Sequence, residues 1–190
     1  MTDLTKNAIG LVALGRIPDI VMNIVSAHIS GYLDLPSRRL PALALPPECL
    51  DKKRLQYDAA RLIGYLERRC VSDCPKTMGL VEGDLFVPIF THVFGEARQG
   101  GNFAVISLYR LQYLEDGLPA PDSQFYERAA KVALHELGHL FNLFHCRDPQ
   151  CLMHFSGAVE TLDAIALNYC SYCRQFLQEA CRRMGIAAER

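Results

Sequence analysis

Residues 8–14 form an almost unbroken apolar run, the pattern of a strand buried on both faces, and a β-strand is expected there. Pro18-Asp19 then opens a helix in which Ile20, Val21, Ile24, Val25 and His28 recur at helical spacing, with Gly31 as the expected stop. The Pro-rich residues 36–47 read as an extended connection with a short strand near 42–45. A second helix fits residues 58–69 and turns Leu62, Ile63 and Leu66 inward. Strand signals follow at 78–81, 85–89, 93–97 and 103–108, with Gly100-Gly101 as a tight turn before the last. A third helix begins near Ser123. A final one covers about 171–184 and is expected to bury Phe176, Leu177, Ala180 and Met184. This order predicts an α/β (α+β) fold, a twisted mixed sheet with helices packed against it.

The chain has 190 residues, half of them hydrophobic, which suits one globular domain. Lys plus Arg is 20 against Asp plus Glu 21, so no basic excess points to nucleic acid. No apolar run approaches the roughly 20 residues that span a bilayer. Asp3 precedes the first apolar run and no small-residue cleavage site follows it, so that run reads as a strand rather than a signal peptide. A cytoplasmic monomer without membrane or nucleic-acid partners is expected. Eight cysteines are many for such a compartment, where clustered cysteines more often hold metal than form disulfides.

The segment His135-Glu136-Leu137-Gly138-His139 puts two imidazoles one helical turn apart on one face, where both reach one zinc ion. Glu136 adjoins the first ligand and is placed to act as general base on a zinc-bound water. Leu134, Leu137 and Phe141 form the packing stripe of the same helix, and Gly138 beside them would let it approach the sheet closely. His145 cannot share that metal on a straight helix, because it would stand about 15 Å above His135. The chain must turn between them. Asn142 is the expected place, since Asn tolerates the left-handed conformation that ends helices. Three histidines leave one zinc position open, the mark of a catalytic site. The pattern His-Glu-x-x-His alone also arises by chance on amphipathic helices. The third histidine and the helix-ending residue are what set this one apart.

Cys146 follows His145 directly, and Cys151 and the pair Cys170-Ser171-Tyr172-Cys173 come after it. Four thiolates at this spacing suit a closed, structural zinc site that would also steady His145. Two disulfides or unpaired thiols are the competing arrangement. Met153 is either a core residue or a methionine floor beneath the histidines. Cys49, Cys70, Cys74 and Cys181 read as reduced structural thiols.

Together these residues resemble the metzincin metallopeptidases, whose histidine motif precedes a methionine-containing turn. Cys146, Cys151, Met153 and the Cys170–Cys173 pair make the pattern similar to the archaemetzincin family, as do Val93-Phe94-Gly95-Glu96-Ala97, the glycine turn and residues 104–111. Asn142 stands where that family's pattern usually has Gly. The resemblance implies one metzincin-like zincin domain over 1–190. Its upper part, 1–142, would hold the sheet and active-site helix; a small helical lower part, 143–190, would hold the third histidine, the methionine turn and the cysteines. It implies two zinc ions per chain, one catalytic and one structural. It also implies that the strand near 93–97 is an antiparallel edge strand above the cleft, where extended peptides add.

The reaction expected is peptide-bond hydrolysis, with Glu136 passing a proton from water to the leaving amine. The sequence shows no oxyanion-stabilising residue. His154 and Tyr172 are near enough in the chain to be considered, while His154 and His92 read more simply as packing or surface residues. A zinc-stabilised peptide-binding protein with little or no proteolysis is the alternative in another class.

Overall fold

The structure, a computed structural model, describes residues 7–185. Its elements in chain order are β1 (Ile9–Leu14), α1 (Asp19–Leu33), β2 (Ser37–Arg39), β3 (Leu50–Asp51), β4 (Gln56–Asp58), α2 (Ala59–Arg69), β5 (Lys76–Val81), β6 (Leu85–Phe86), β7 (Gly95–Ala97), β8 (Phe103–Ser107), α3 (Asp122–Leu140), α4 (Val159–Ala164) and α5 (Ser171–Arg183). The main sheet runs β2-β1-β5-β8-β7. All its pairs are parallel except β7–β8, so β7 is an antiparallel strand at one edge. A smaller sheet, β3-β4-β6, stands beside it.

Both faces of the main sheet are covered, which is why its central strands are continuously apolar. Ile9 and Leu11 on β1 and Ala104 and Ile106 on β8 join one core with α1 and α3. Val12, Leu14 and Val105 join a second core with Leu62, Ile63 and Leu66 of α2. A methyl added at Gly79 would meet Leu66 Cδ1 at 2.8 Å, so α2 presses directly on β5 there. Asp58 caps α2 by accepting a hydrogen bond from the Arg61 amide at 3.1 Å.

The mixed α/β architecture is as expected, and several local features differ. Helix α1 runs past Gly31 to Leu33 and ends on Asp34, which takes a φ of 55°. Its buried stripe is Val21, Met22, Val25, Ile29 and Leu33; Ile20 is exposed. His28 is half-buried, its Nδ1 paired with the Ile24 carbonyl at 2.8 Å. In the Pro-rich connection the strand forms at 37–39, and Leu43 makes only one bridge, to Leu14. The run at 85–89 yields two strand residues before turning outward, leaving Ile89 exposed. Helix α5 buries Cys173, Leu177 and Cys181, while Phe176 and Met184 face outward. The hydrophobic periodicity does not announce α4 at all. Among the described residues no helix is long and apolar enough to cross a membrane.

Candidate active site

Helix α3 lies under the sheet with Leu134 and Leu137 fully buried, and its other side carries His135, Glu136 and His139 into a cavity of about 430 Å³. The helix stops where Asn142 takes a φ of 68°. The Asn142 amide donates to the His139 carbonyl at 2.9 Å, and the Leu143 amide to that of Gly138 at 2.9 Å. Those two reversed bonds are a Schellman closure, which satisfies carbonyls the helix end leaves free. The Gly100 amide also donates to the His139 carbonyl, at 2.9 Å, tying the glycine turn to the helix end. The chain then doubles back and returns His145 to the other two imidazoles. Ring centroids stand 4.7 Å apart for His135–His139, 5.3 Å for His135–His145 and 4.9 Å for His139–His145.

The hydrogen bonds decide which ring nitrogens are available. His135 Nδ1 lies 2.7 Å from the Leu152 carbonyl and His139 Nδ1 lies 2.8 Å from that of Leu143. A carbonyl only accepts, so each Nδ1 carries the proton and each Nε2 of the neutral ring holds a lone pair. The two Nε2 atoms face each other at 3.0 Å. Burial, reinforced by the neighbouring His139, pushes His135 down to about 3, so no proton fills that gap near neutral pH. Burial also lowers His139 and His145. Two aimed lone pairs and a third imidazole, with ligand atoms all within 4.8 Å of one another, fit a cation; tetrahedral zinc–nitrogen geometry puts ligand nitrogens about 3.3 Å apart.

Glu136 is buried beside these rings. A methyl at Gly95 on β7 would stand 2.6 Å from its Oε1, so the carboxylate rests against the edge strand's backbone. Burial, with the charge of Glu96 added, holds Glu136 well above the usual carboxylate range. A dication at the histidines acts in the opposite direction. Met153 is fully buried, and its sulfur occupies the space a side chain at Gly138 would need. The close approach at Gly138 is therefore to Met153, not to the sheet.

Cys146, Cys151, Cys170 and Cys173 form a second cluster, their sulfurs within 4.8 Å of one another. The Cys146 and Cys170 sulfurs are 3.9 Å apart, about the 3.8 Å edge of a tetrahedral zinc–thiolate site and far from a disulfide bond. All eight cysteines are free thiols. Backbone amides already point at this cluster: that of Cys170 donates to Cys151 Sγ at 3.3 Å and that of Cys173 to Cys170 Sγ at 3.5 Å. The Cys146 amide donates to the Met153 carbonyl at 2.8 Å, so one short turn links cysteines, methionine and third histidine.

The other residues considered from sequence divide. His154 lines the cavity with Nδ1 3.1 Å from the Cys146 carbonyl, whereas Tyr172 is exposed outside it. His92 also lines the cavity, packed on Phe94 at 5.6 Å, rather than serving the surface or the strand alone. Sequence reasoning missed Gly95 as the support of Glu136, and Phe90 and Phe155 as walls. Their roles arise between segments distant in the chain, and no local spacing encodes them.

The sequence pattern of peptidase family M54 matches residues 21–179. An archaemetzincin of Methanopyrus kandleri is 36% identical over 174 residues, covering 90% of this chain and 95% of that one. An archaemetzincin of Haloquadratum walsbyi is 33% identical over 172 residues, covering 89% and 98%. The crystal structure of the Methanopyrus kandleri archaemetzincin superposes with a TM-score of 0.85 at 33% identity, over 96% of this chain and all of that one. The archaemetzincin of Archaeoglobus fulgidus, crystallised with malonate, superposes with a TM-score of 0.77 at 27% identity, covering 89% and 99%.

Proposed function

The chain belongs to peptidase family M54, the archaemetzincins, and is a zinc metallopeptidase; we propose that His135, His139 and His145 hold its catalytic zinc and that Glu136 is the general base. The observation that carries this is the pair of Nε2 atoms aimed at each other, with both Nδ1 atoms committed to carbonyls. Cys146, Cys151, Cys170 and Cys173 hold a second, structural zinc, and Met153 is the floor beneath the histidines. The reading includes the division at residue 142 into an upper and a lower part flanking the cleft. It also includes a cytoplasmic monomer acting on peptide or protein substrates.

Zinc, when bound, supplies a Lewis acid for the scissile carbonyl and acidifies a water. The chain supplies the rest. The free edge of β7 offers backbone donors and acceptors to an extended substrate. The carbonyls of Leu152 and Leu143 fix the two helical histidines in the ligating tautomer. Glu136, shielded from solvent and braced by Gly95, takes a proton from the attacking water as its oxygen bonds to the carbonyl carbon. When the carbon–nitrogen bond breaks, the same carboxyl returns that proton to the leaving amine.

Glu136→Gln tests the assignment. Cleavage of a peptide library is expected to fall about 10²- to 10⁴-fold, with zinc content unchanged at two per chain by elemental analysis. Far less than one zinc per chain in the native protein would sink the ligand assignment. Full loading with no turnover of any peptide would favour a peptide-binding protein.

A further inference from the structure

At one end of the cleft two aromatic rings meet. Between β6 and β7 the chain turns outward, and the ring of Phe90 comes to 6.0 Å, centroid to centroid, from that of Phe155. Phe155 in turn packs edge-on against His145 at 5.3 Å. His92, from the same turn, and Gly157, two residues after Phe155, line the same cavity. The segment before the edge strand thus touches the segment after Met153 through the Phe90–Phe155 pair.

This turn is held. Arg54 donates to the carbonyls of Phe90 and Thr91, both at 3.0 Å, and Gln56 donates to that of Thr91 at 3.0 Å. Gln56 also donates to the buried carboxylate of Asp84 at 2.8 Å, and Arg110 grips the same carboxylate through Nε and Nη2. The small sheet β3-β4-β6 therefore acts as a bracket for the turn that carries Phe90.

Peptide chains packed face to face need about 10 Å between backbones. Aromatic rings whose centroids are 6.0 Å apart are in contact and leave no passage for a chain. A substrate adding antiparallel to β7, the stronger pairing, runs from beside Ala97 toward Gly95. Its residues beyond the scissile bond then head into Phe90 and Phe155. Resting on the peptidase reading, we propose that this aromatic contact limits how far a substrate extends on its C-terminal side, so that the enzyme acts on short peptides and near chain ends rather than within long polypeptides. Phe90 and Phe155 are specificity-determining residues; Arg54 and Gln56 are positioning residues that act through the turn.

Peptides sharing one N-terminal half and scissile bond, extended by one, two, four or eight residues on the C-terminal side, test this in two ways. In the native enzyme kcat/KM is expected to fall about tenfold or more between the short and long extensions. Binding to zinc-loaded Glu136→Gln, read by fluorescence anisotropy, should fall in parallel, whereas N-terminal extensions cause no such loss. Phe90→Ala shortens the wall and should recover the long peptides. Arg54→Ala, which frees the turn with both rings intact, should act in the same direction through KM rather than kcat. Equal binding of every length, or a loss confined to N-terminal extensions, overturns the proposal. The length limit in binding without turnover would uphold the wall and refute the peptidase reading; turnover indifferent to length would do the reverse.

Discussion

Gly95 contributes to the site by having no side chain. The Glu136 carboxyl fills the space a methyl would occupy, and that carboxyl is the movable end of a flexible side chain. Gly95→Ala should therefore leave fold and zinc content intact while displacing Glu136, the proposed base. A displacement near 1 Å costs about 10²-fold in rate, so kcat should drop about 10- to 100-fold with little change in melting temperature. Steady-state kinetics beside thermal melts would check this. Residues of this kind divide by how they could be read from sequence. That the three histidines, and the four cysteines, come together was legible because residues that could share one ion carry a spacing that helix and turn geometry fixes. Asn142 was legible because a returning third ligand demands a break there, and the break is present at a φ of 68°. Gly95, Phe90 and Phe155 were not, because what each faces lies far away in the chain.

At the scale of elements, α3 does more than carry the histidines and Glu136. Arg128 and Lys131 are buried on it, and both point at α4. Arg128 donates to Asp163 at 2.6 and 2.7 Å and to the carbonyls of Leu111 and Tyr113. Lys131 Nζ reaches the carbonyls of Leu162 and Asp163 and pairs with Glu127 at 2.8 Å. This explains why α4 was invisible to hydrophobic periodicity: a six-residue helix with one buried side chain, Leu162, is placed largely by cations from another element. Burial pushes Asp163 upward, but the hydrogen bonds from Arg128 and Gln124 and the charges of Arg128 and Lys131 outweigh it and leave it below 3.8. A carboxylate depressed in the folded state adds stability above its unfolded pKa and loses it as pH falls through the folded one. Asp163→Asn should thus cost about 3 kcal/mol near neutral pH, where it removes the counter-charge of the buried Arg128 guanidinium. The gap to the native protein should close as pH drops below 3.8, in paired melts across that range.

For the whole molecule, the cysteine cluster joins the turn after His145 to the start of the last helix. The structural zinc proposed for it would contribute its binding energy to folding, so losing that ion would loosen both ends of the link. Replacing Cys170 and Cys173 together by Ser should remove one zinc per chain and lower the melting temperature. It should also weaken the histidine site about 10- to 100-fold, because His145 loses the support of its neighbour. Elemental analysis and metal competition would separate the two losses. At this scale the order of strands and helices was legible, since sheets covered on both faces write long apolar runs. The aromatic contact at one end of the cleft was not, because it depends on how a bracketing sheet aims one exposed ring.

The unpaired rim of β7 has a consequence for life in a crowded solution. A strand that receives peptides by backbone pairing also invites a second copy of its own chain, the first step toward aggregation. Here that rim is three residues long. Gly100-Gly101 breaks the chain just beyond it, and Arg98, held by Glu67 at 3.0 Å, sets a charge at its end. Three residues offer a second copy too few backbone groups to template a sheet.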